Sequence, residues 1–424
     1  MLETCLVVLV ALSWLYWWVA WWTARRFFRC RQRAKPCFTP PVSMLKPVKG
    51  LDAEAYQNFA SFCRQDYPSF ELLFGVADPE DPVVSIVKRL QHDFPEHNIR
   101  LVTGPAIGSN RKVSLLHHLT AQAQHEVLVI SDSDMRVTPD YLRRVVAPLS
   151  DEQIGLVHCP YRASVLLSLA ARLEALRMGA TFMPSALVAS QLLKMPFALG
   201  ATTALRRRDL ARMGGFAAIA DYLADDHQLG ARIGGLGLRV HLCDYVITSI
   251  LGETTWSDLW HRELRWERCN WVSSPWGTLG LLVSFSTPLA LVLLLTSGFS
   301  ATGWQALAIS LLLRWLVAWR MTVYTGASET RQALIWLPIR DVLSALVWCV
   351  AGLGRRIVWR GEVFVLRADG KMYPVPPSEA GEQKTFGEQR ARGERMPSGQ
   401  QAASERLRQT LRTWSGRIVH KVKP

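Results

Sequence analysis

The chain has 424 residues, enough for one large domain with additional elements. Hydrophobic residues make up 49%, Trp occurs 17 times, and the formal net charge is +14. The first two figures are high for a wholly soluble enzyme. The charge suits anionic headgroups or a polyphosphate ligand, and no nucleic-acid-binding motif accompanies it. The cysteines (Cys5, Cys30, Cys37, Cys63, Cys159, Cys243, Cys269 and Cys349) form no CxxC pair and no Cys/His metal spacing. That excludes a zinc module and supplies no disulfide framework.

Residues 6–22 are apolar and uncharged, just long enough to span a bilayer at ~1.5 Å per residue. Arg25, Arg26, Arg29, Arg31, Arg33 and Lys35 follow at once, so the chain is expected to exit into the cytoplasm. A secretory signal would carry its charge before the apolar run and a small-residue cleavage site after it. Residues 1–24 therefore read as a retained anchor, with a buried soluble helix as the alternative.

Between residues 38 and 272 strand and helix patterns alternate. Short apolar runs at 42–45, 71–76, 99–102 and 127–130 are separated by helical stretches at 53–64, 83–93 and 112–124. This predicts an α/β domain with a largely parallel sheet, whose ligands bind beyond the carboxyl ends of the strands. Asp78 follows the second strand, inside Ala-Asp-Pro-Glu-Asp-Pro, where a turn explains it equally well. Asn110-Arg111-Lys112 lies between the third and fourth strands, either a phosphate-reaching loop or a solvated basic turn. Asp132-Ser133-Asp134 emerges from a fully apolar strand. Two carboxylates this close repel, and Mg²⁺ or Mn²⁺ relieves the repulsion while sharing a ligand's phosphates. Asp225-Asp226 opens a helix and is either a dipole-favoured cap or the base that a sugar transfer requires. Arg262, Arg265 and Trp266 share one helical face, suited to a leaving diphosphate or to an interfacial anchor.

Three more apolar regions follow, at 276–297, 304–319 and 333–352, the last interrupted by Pro338, Arg340 and Asp341. Counting four full spans would leave Arg355, Arg356 and Arg360 outside, against the positive-inside rule. The fourth region is therefore expected to be re-entrant or interfacial. Membrane helices would occupy 273–356, a short cytoplasmic segment 357–376, and a polar, disordered tail 377–424.

Asp78, Asp132 with Asp134, Asp226 and Arg262-x-x-Arg265-Trp266 together resemble the D, D, D, (Q/R)xxRW pattern of ceramide glucosyltransferases and their relatives. Leu223-Ala224-Asp225-Asp226, residues 261–266, Trp359-Arg360-Gly361 and Asp369-Gly370-Lys371 look most like the bacterial hopanoid-biosynthesis branch. The resemblance implies a GT-A fold and an inverting transfer from a UDP-sugar to a lipid hydroxyl. The hopanoid branch implies N-acetylglucosamine moved to a bacteriohopanetetrol-type lipid in the bacterial inner membrane. The ceramide branch implies glucose moved to ceramide. By position, Asp78 would contact the nucleotide, Asp132 and Asp134 the cation, Asp226 the acceptor proton, and Arg262, Arg265 and Trp266 the diphosphate and acceptor entrance. Asn110 and Lys112 are added as donor-binding candidates. Animal ceramide enzymes carry Gly where this chain has Asp134, which weighs against the ceramide branch. A processive polysaccharide synthase and a non-catalytic nucleotide-binding scaffold are the rival readings.

Overall fold

The computed structural model describes residues 1–29 and 38–376. Cys30, Cys37, Arg31, Arg33, Lys35 and the tail 377–424 lie outside the described residues. One compact unit holds Met1–Trp359 with Phe364–Pro374. The second unit is described only at Arg360–Val363 and residues 375–376, where Val375 N–H donates to the Val363 carbonyl at 2.9 Å.

The strands are β1 (Val42–Pro47), β2 (Phe70–Val76), β3 (Asn98–Thr103), β4 (Val127–Ser131), β5 (Met135–Arg136), β6 (Ile154–His158), β7 (Tyr161–Leu166), β8 (Thr202–Arg206), β9 (Arg239–Leu242) and β10 (Ile247–Gly252). The main sheet has seven strands in the order β3-β2-β1-β4-β8-β6-β9. The first four are parallel, and helices 83–93 and 111–122 make two of their crossovers. β8 then runs antiparallel to both β4 and β6, so the sheet is mixed, with four of its six strand pairings parallel. This is the GT-A type of α/β domain. The turn after β4 feeds β5, which leaves the main sheet and pairs with β10, and β10 pairs in turn with β7.

β1 and β4 are buried along their whole length and carry apolar side chains on both faces, as central strands of a covered sheet must. The one carboxylate inside β2, Glu71, is 1% exposed and fully engaged. It accepts from Ser43 Oγ at 2.6 Å, Arg100 Nη2 at 2.6 Å and the Gln124 amide at 2.7 Å. Beyond the domain, a further strand at Met372–Pro374 pairs antiparallel with residues 364–366.

Among the described residues three helical segments are long and apolar enough to cross a membrane: Leu2–Arg29, Ala301–Thr325 and Ser328–Gly352. Leu2–Arg29 buries Leu6, Val10, Trp17 and Ala20 on one side and exposes Val8, Leu12, Leu15 and Trp18 on the other. Ala301–Thr325 lies along it in the same direction, with Trp14 Nε1 2.8 Å from Ser310 Oγ and the Phe28 and Tyr324 rings stacked at 5.6 Å. The break in the second apolar region, between Pro275–Ser284 and Ser286–Thr296, bends the chain by 64°.

The fourth region is continuous where the sequence reading expected an interruption. Pro338 sits in the first turn of helix Leu337–Gly352, where no N–H is needed, so it starts the helix rather than breaking it. Arg340 makes a bidentate pair with Glu263, and Arg314 makes one with Asp341 at 2.6 and 2.9 Å. Both arginines are at most 1% exposed. Arg314 also donates to the Ala180 carbonyl at 2.9 Å and lies 3.8 Å from the Trp17 ring centroid. Both ends of Ser328–Gly352 meet the α/β side of the structure. Glu329 accepts from Ser164 and from the Val165 and Leu166 amides, and Trp271 Nε1 donates to the Trp348 carbonyl.

Removing one partner of a buried ion pair strands the other charge. Asp341→Ala is expected to lower stability by about 3–5 kcal/mol. The Arg314→Met, Asp341→Leu double variant should recover most of it. Thermal unfolding of the three proteins in one detergent measures this.

Candidate active site

The site starts at the carboxyl end of β4, the central strand, where Ser131 passes into Asp132-Ser133-Asp134. The turn is pinned by its backbone. The Asp132 amide donates to the Ala201 carbonyl at 3.2 Å, and the Ile250 amide donates to the Asp134 carbonyl at 2.9 Å. The Asp132 carbonyl accepts from Lys46 Nζ at 2.9 Å. Lys46 is fully buried on β1, its ammonium 3.6 Å from the Phe62 ring centroid. Burial pushes its pKa down to about 7, against the pull of Asp132, Asp134 and Asp52. Ser133 donates to Asp52, and Asp134 Oδ2 accepts from Ser249 Oγ at 2.8 Å. Burial first, then the charges of Asp132 and Asp52, push the Asp134 carboxyl up to about 7.

Asp225 and Asp226 form the first turn of helix Asp225–Gly235. Lys112 Nζ joins this turn to the first cluster, 2.8 Å from Asp132 Oδ1 and 3.2 Å from Asp225 Oδ2. Its pKa is held well above the ordinary lysine value; burial opposes this, and the carboxylates of Asp132 and Asp225 outweigh it. Asp226 Oδ1 accepts from the His227 amide at 2.8 Å. Burial, then the neighbouring Asp225, push the Asp226 carboxyl up to about 6, with Lys112 working the other way. Segment 200–202 serves both clusters. A Cβ at Gly200 would stand 2.9 Å from Asp226 Oδ2, while the next carbonyl, of Ala201, holds the Asp132 amide. The Tyr161 hydroxyl lies in the combined field of Asp226, Asp132 and Asp134, and burial raises its pKa above the usual phenol value.

The donor chemistry of Asp132 and Asp134 fits a divalent cation. Burial first, and then crowding with Asp132, raises the Asp134 pKa, and a cation offsets that repulsion. Among the described residues no group of three or more His, Cys, Asp or Glu has metal-ligand spacing. A Mg²⁺- or Mn²⁺-type site that completes its shell with water and ligand phosphates needs no more than one or two carboxylates.

The other expected residues divide. Asp78 stands at the carboxyl end of β2 in an exposed turn, its Oδ1 accepting from the Glu80 amide at 2.9 Å. Asn110 is a correction. It is 0% exposed and caps helix Arg111–Gln122, its Oδ1 accepting from Val113 N–H at 3.1 Å and its Nδ2 donating to the Tyr222 carbonyl at 2.8 Å. Its side chain is engaged at both ends and belongs to the scaffold, not to a nucleotide-reaching loop. Arg262 is paired with buried Glu174 at 2.5 Å, which fixes the guanidinium against helix Leu169–Leu176. Arg265 stacks on Trp266 and Trp359, at 6.0 and 5.4 Å from the ring centroids. Helix Trp256–Ser273, which carries all three motif residues, runs beside the second carboxylate cluster: Asp226 and Asp225 both act on the half-buried Cys269 thiol. Lys46, Asp52, Ser249 and Tyr161 were not read as site residues. Of these Lys46 alone carried a signal, a lysine inside an otherwise apolar strand.

The model of the family described as Glycosyl transferase family 21 matches residues 5–372. The chain belongs to this family. It is 24% identical over 352 residues to Ceramide glucosyltransferase 3 of Caenorhabditis elegans, covering 79% of this chain and 74% of the relative. Ceramide glucosyltransferase 1 of the same organism is 25% identical over 364 residues, with coverage of 81% and 76%. Among solved structures, the mannosyltransferase PcManGT of Pyrobaculum calidifontis in complex with GDP-Man and Mn²⁺ aligns at a TM-score of 0.48 and 20% identity, covering 82% of this chain and 99% of that one. The glycosyltransferase chemistry of the family requires a group that takes a proton, and a carboxylate titrating near neutrality is suited to it.

Asp226 accepts a proton only when ionised. If Asp226 is the group that takes the proton, its raised pKa sets the acidic limb of the kcat/KM profile near pH 6, above the ordinary carboxylate range of ~4. Asp225→Asn removes a like charge and should move the limb to lower pH. Lys112→Met removes the opposing cation and should move it higher. A limb that stays put in both variants belongs to another group.

Proposed function

We propose that this family 21 glycosyltransferase moves one sugar from a UDP-sugar to a hydroxyl of a membrane lipid, with its catalytic domain on the cytoplasmic face. The observation that carries the reading is the Lys112 bridge, which joins the Asp132–Asp134 turn to the Asp225–Asp226 turn at one edge of the sheet. A cation-binding pair and a proton acceptor in one place are what a single displacement at an anomeric carbon requires.

In this reading Asp132 and Asp134 hold a Mg²⁺ or Mn²⁺ ion, which when bound supplies positive charge opposite the donor's diphosphate. Asp226 takes the proton of the acceptor hydroxyl as its oxygen attacks the anomeric carbon and the bond to UDP breaks. One displacement with one base inverts the anomeric centre; a retaining route needs a carboxylate nucleophile in addition. Arg265, beside Trp266, offers a positive face toward the leaving diphosphate, while Arg262 positions the helix through Glu174. Asp78 meets the nucleotide from the end of β2.

The membrane arrangement follows from which ends meet the domain. Arg162 donates to the Thr325 and Gly326 carbonyls, so Ala301–Thr325 ends at the catalytic side, as Leu2–Arg29 does through Phe27 and Met183. Ser328–Gly352 begins and ends on that side too, which supports an interfacial segment. Crossings by 2–29, 275–296 and 301–325 then put the domain and Arg355 and Arg356 on one face, in agreement with the positive-inside rule.

The favoured substrates are N-acetylglucosamine as sugar and a bacteriohopanetetrol-type hopanoid as acceptor, in a bacterial inner membrane. Leu223-Ala224-Asp225-Asp226 and the Asp at 134 support this choice. Glucose transfer to ceramide is the second reading, favoured by the names of the relatives.

Asp226→Asn keeps the shape and loses the base. Transfer should fall by roughly 10²–10⁴-fold while UDP-sugar affinity stays within a few-fold. Turnover retained in this variant would assign the base elsewhere. Mass spectrometry of membrane lipids with and without the protein identifies sugar and acceptor together.

A further inference from the structure

Helix Leu169–Leu176 does not continue regularly into Met183–Gln191. Residues Arg177–Phe182 form a π-helical turn between them, a feature that is rare in a helix and frequent at functional sites. Facing that turn is a cavity of about 60 Å³, whose polar lining comprises Thr181, Ser185, Glu267, Asn270, Ser284 and Ser344 with Arg177 at one end. This is room for a few hydroxyl-sized groups.

Two of its walls, at Ser284–Phe285 and Ser344–Val347, come from the apolar C-terminal helices. The opposite wall leads to the carboxylates. Arg177 lies over Trp266 at 5.2 Å, and Phe182 packs on Tyr161 at 5.9 Å, the tyrosine that senses Asp226, Asp132 and Asp134. The cavity therefore stands between the membrane helices and the reaction centre.

Its hydrogen-bonding sense is defined. Ser185, Ser284 and Ser344 each spend their hydroxyl proton on a backbone carbonyl, of Thr181, Leu281 and Arg340. Glu267 is 7% exposed. Its Oε2 is held by Arg177 at 2.8 Å, but its Oε1 is buried with no partner. A buried carboxylate oxygen left without a donor is costly, so the site calls for one. The lining supplies donors as well, from Arg177 and from Asn270, whose Nδ2 donates to Glu267 Oε2 at 3.5 Å. Glu267 Oε1 is the acceptor left over, and an O–H donor fits it.

We propose that this cavity is an acceptor subsite, in which Glu267 Oε1 takes a hydrogen bond from a second hydroxyl of the lipid while the reacting hydroxyl lies at Asp226. The acceptor class is thereby narrowed to lipids whose head group carries more than one hydroxyl. This rests on the lipid-transfer reading above and assigns a selectivity device to it.

The test compares kcat/KM for a polyhydroxylated lipid with that for its monohydroxy analogue, in detergent-solubilised full-length protein. Glu267→Gln keeps an oxygen for Arg177 but turns a donor or a neutral acceptor into the cavity. The ratio should fall by about 10-fold or more, since hydrogen bonds to charged groups discriminate strongly. A merely structural defect lowers both values together and leaves the ratio unchanged, and that result overturns the proposal. If Glu267→Gln does not fold, Ser344→Val, on the membrane-side wall, decides the matter by the same ratio: a fall supports the subsite, and a constant ratio removes it. Wild-type protein that transfers sugar to no lipid refutes the underlying reading instead, independently of either variant.

Discussion

The Lys112 ammonium is the interaction on which the site depends. Four carboxylates, Asp132, Asp134, Asp225 and Asp226, share one region at the end of the central strand, and a fifth, Asp52, touches it through Ser133. In a partly desolvated place such a set repels itself strongly. One cation from helix Arg111–Gln122 bridges the two pairs, and a second, Lys46, supports the first pair from below through the Asp132 carbonyl. The fold is arranged to deliver both. Lys46 arrives on β1, directly beside β4, and Lys112 arrives at the start of the crossover helix that precedes β4. The carboxylates not fully neutralised in this way, Asp134 and Asp226, are the two whose pKa is pushed toward neutrality.

Helix Trp256–Ser273 carries the other half of the organisation. It begins at a capping box between Thr255 and Asp258, and its charged residues are then tied one after another. Arg262 pairs with Glu174, Glu263 with Arg340, and Glu267 with Arg177. Two of these partners lie at the start of the π-helical turn, Glu174 in the helix before it and Arg177 as its first residue, and the third lies in the last apolar helix. The helix thus registers the carboxylate edge of the sheet against the membrane helices. Buried pairs contribute little net stability relative to apolar packing, but they fix one arrangement among several. In the proposed reaction, where a polar donor meets a lipid acceptor, that fixed spacing is the functional quantity.

How much of this was legible depends on what a sequence encodes locally. The first four strands and the helices between them follow from alternation of apolar runs and turn residues, and they appear at the expected places. The Asp132–Asp134 turn was legible because two acids after an apolar strand need a reason. Asn110 was misread because its partner, the Tyr222 carbonyl, comes from a loop far along the chain, and nothing local separates a cap from a ligand. Arg340 and Asp341 were read as an interruption of an apolar span for the same reason: the sequence displays their charges and conceals Glu263 and Arg314. The antiparallel β8 was hidden as well. Its direction is set by pairing with β4 and β6, contacts distant along the chain that leave no local signature.

The same pairing logic explains how polar groups sit among apolar helices without breaking them. Trp17 and Asp341 enclose Arg314, so its guanidinium meets an aromatic face, a carboxylate and the Ala180 carbonyl instead of hydrocarbon. The Ala180 carbonyl belongs to the π-helical turn, where the wider backbone leaves carbonyls less committed to the helix. A single buried arginine therefore connects the apolar bundle to the turn that also lines the polar cavity, through Thr181 at 3.2 Å. Charge inside the membrane-facing part and polarity beside the cavity thus meet at the π-helical turn, whose first residue, Arg177, holds Glu267 Oε2.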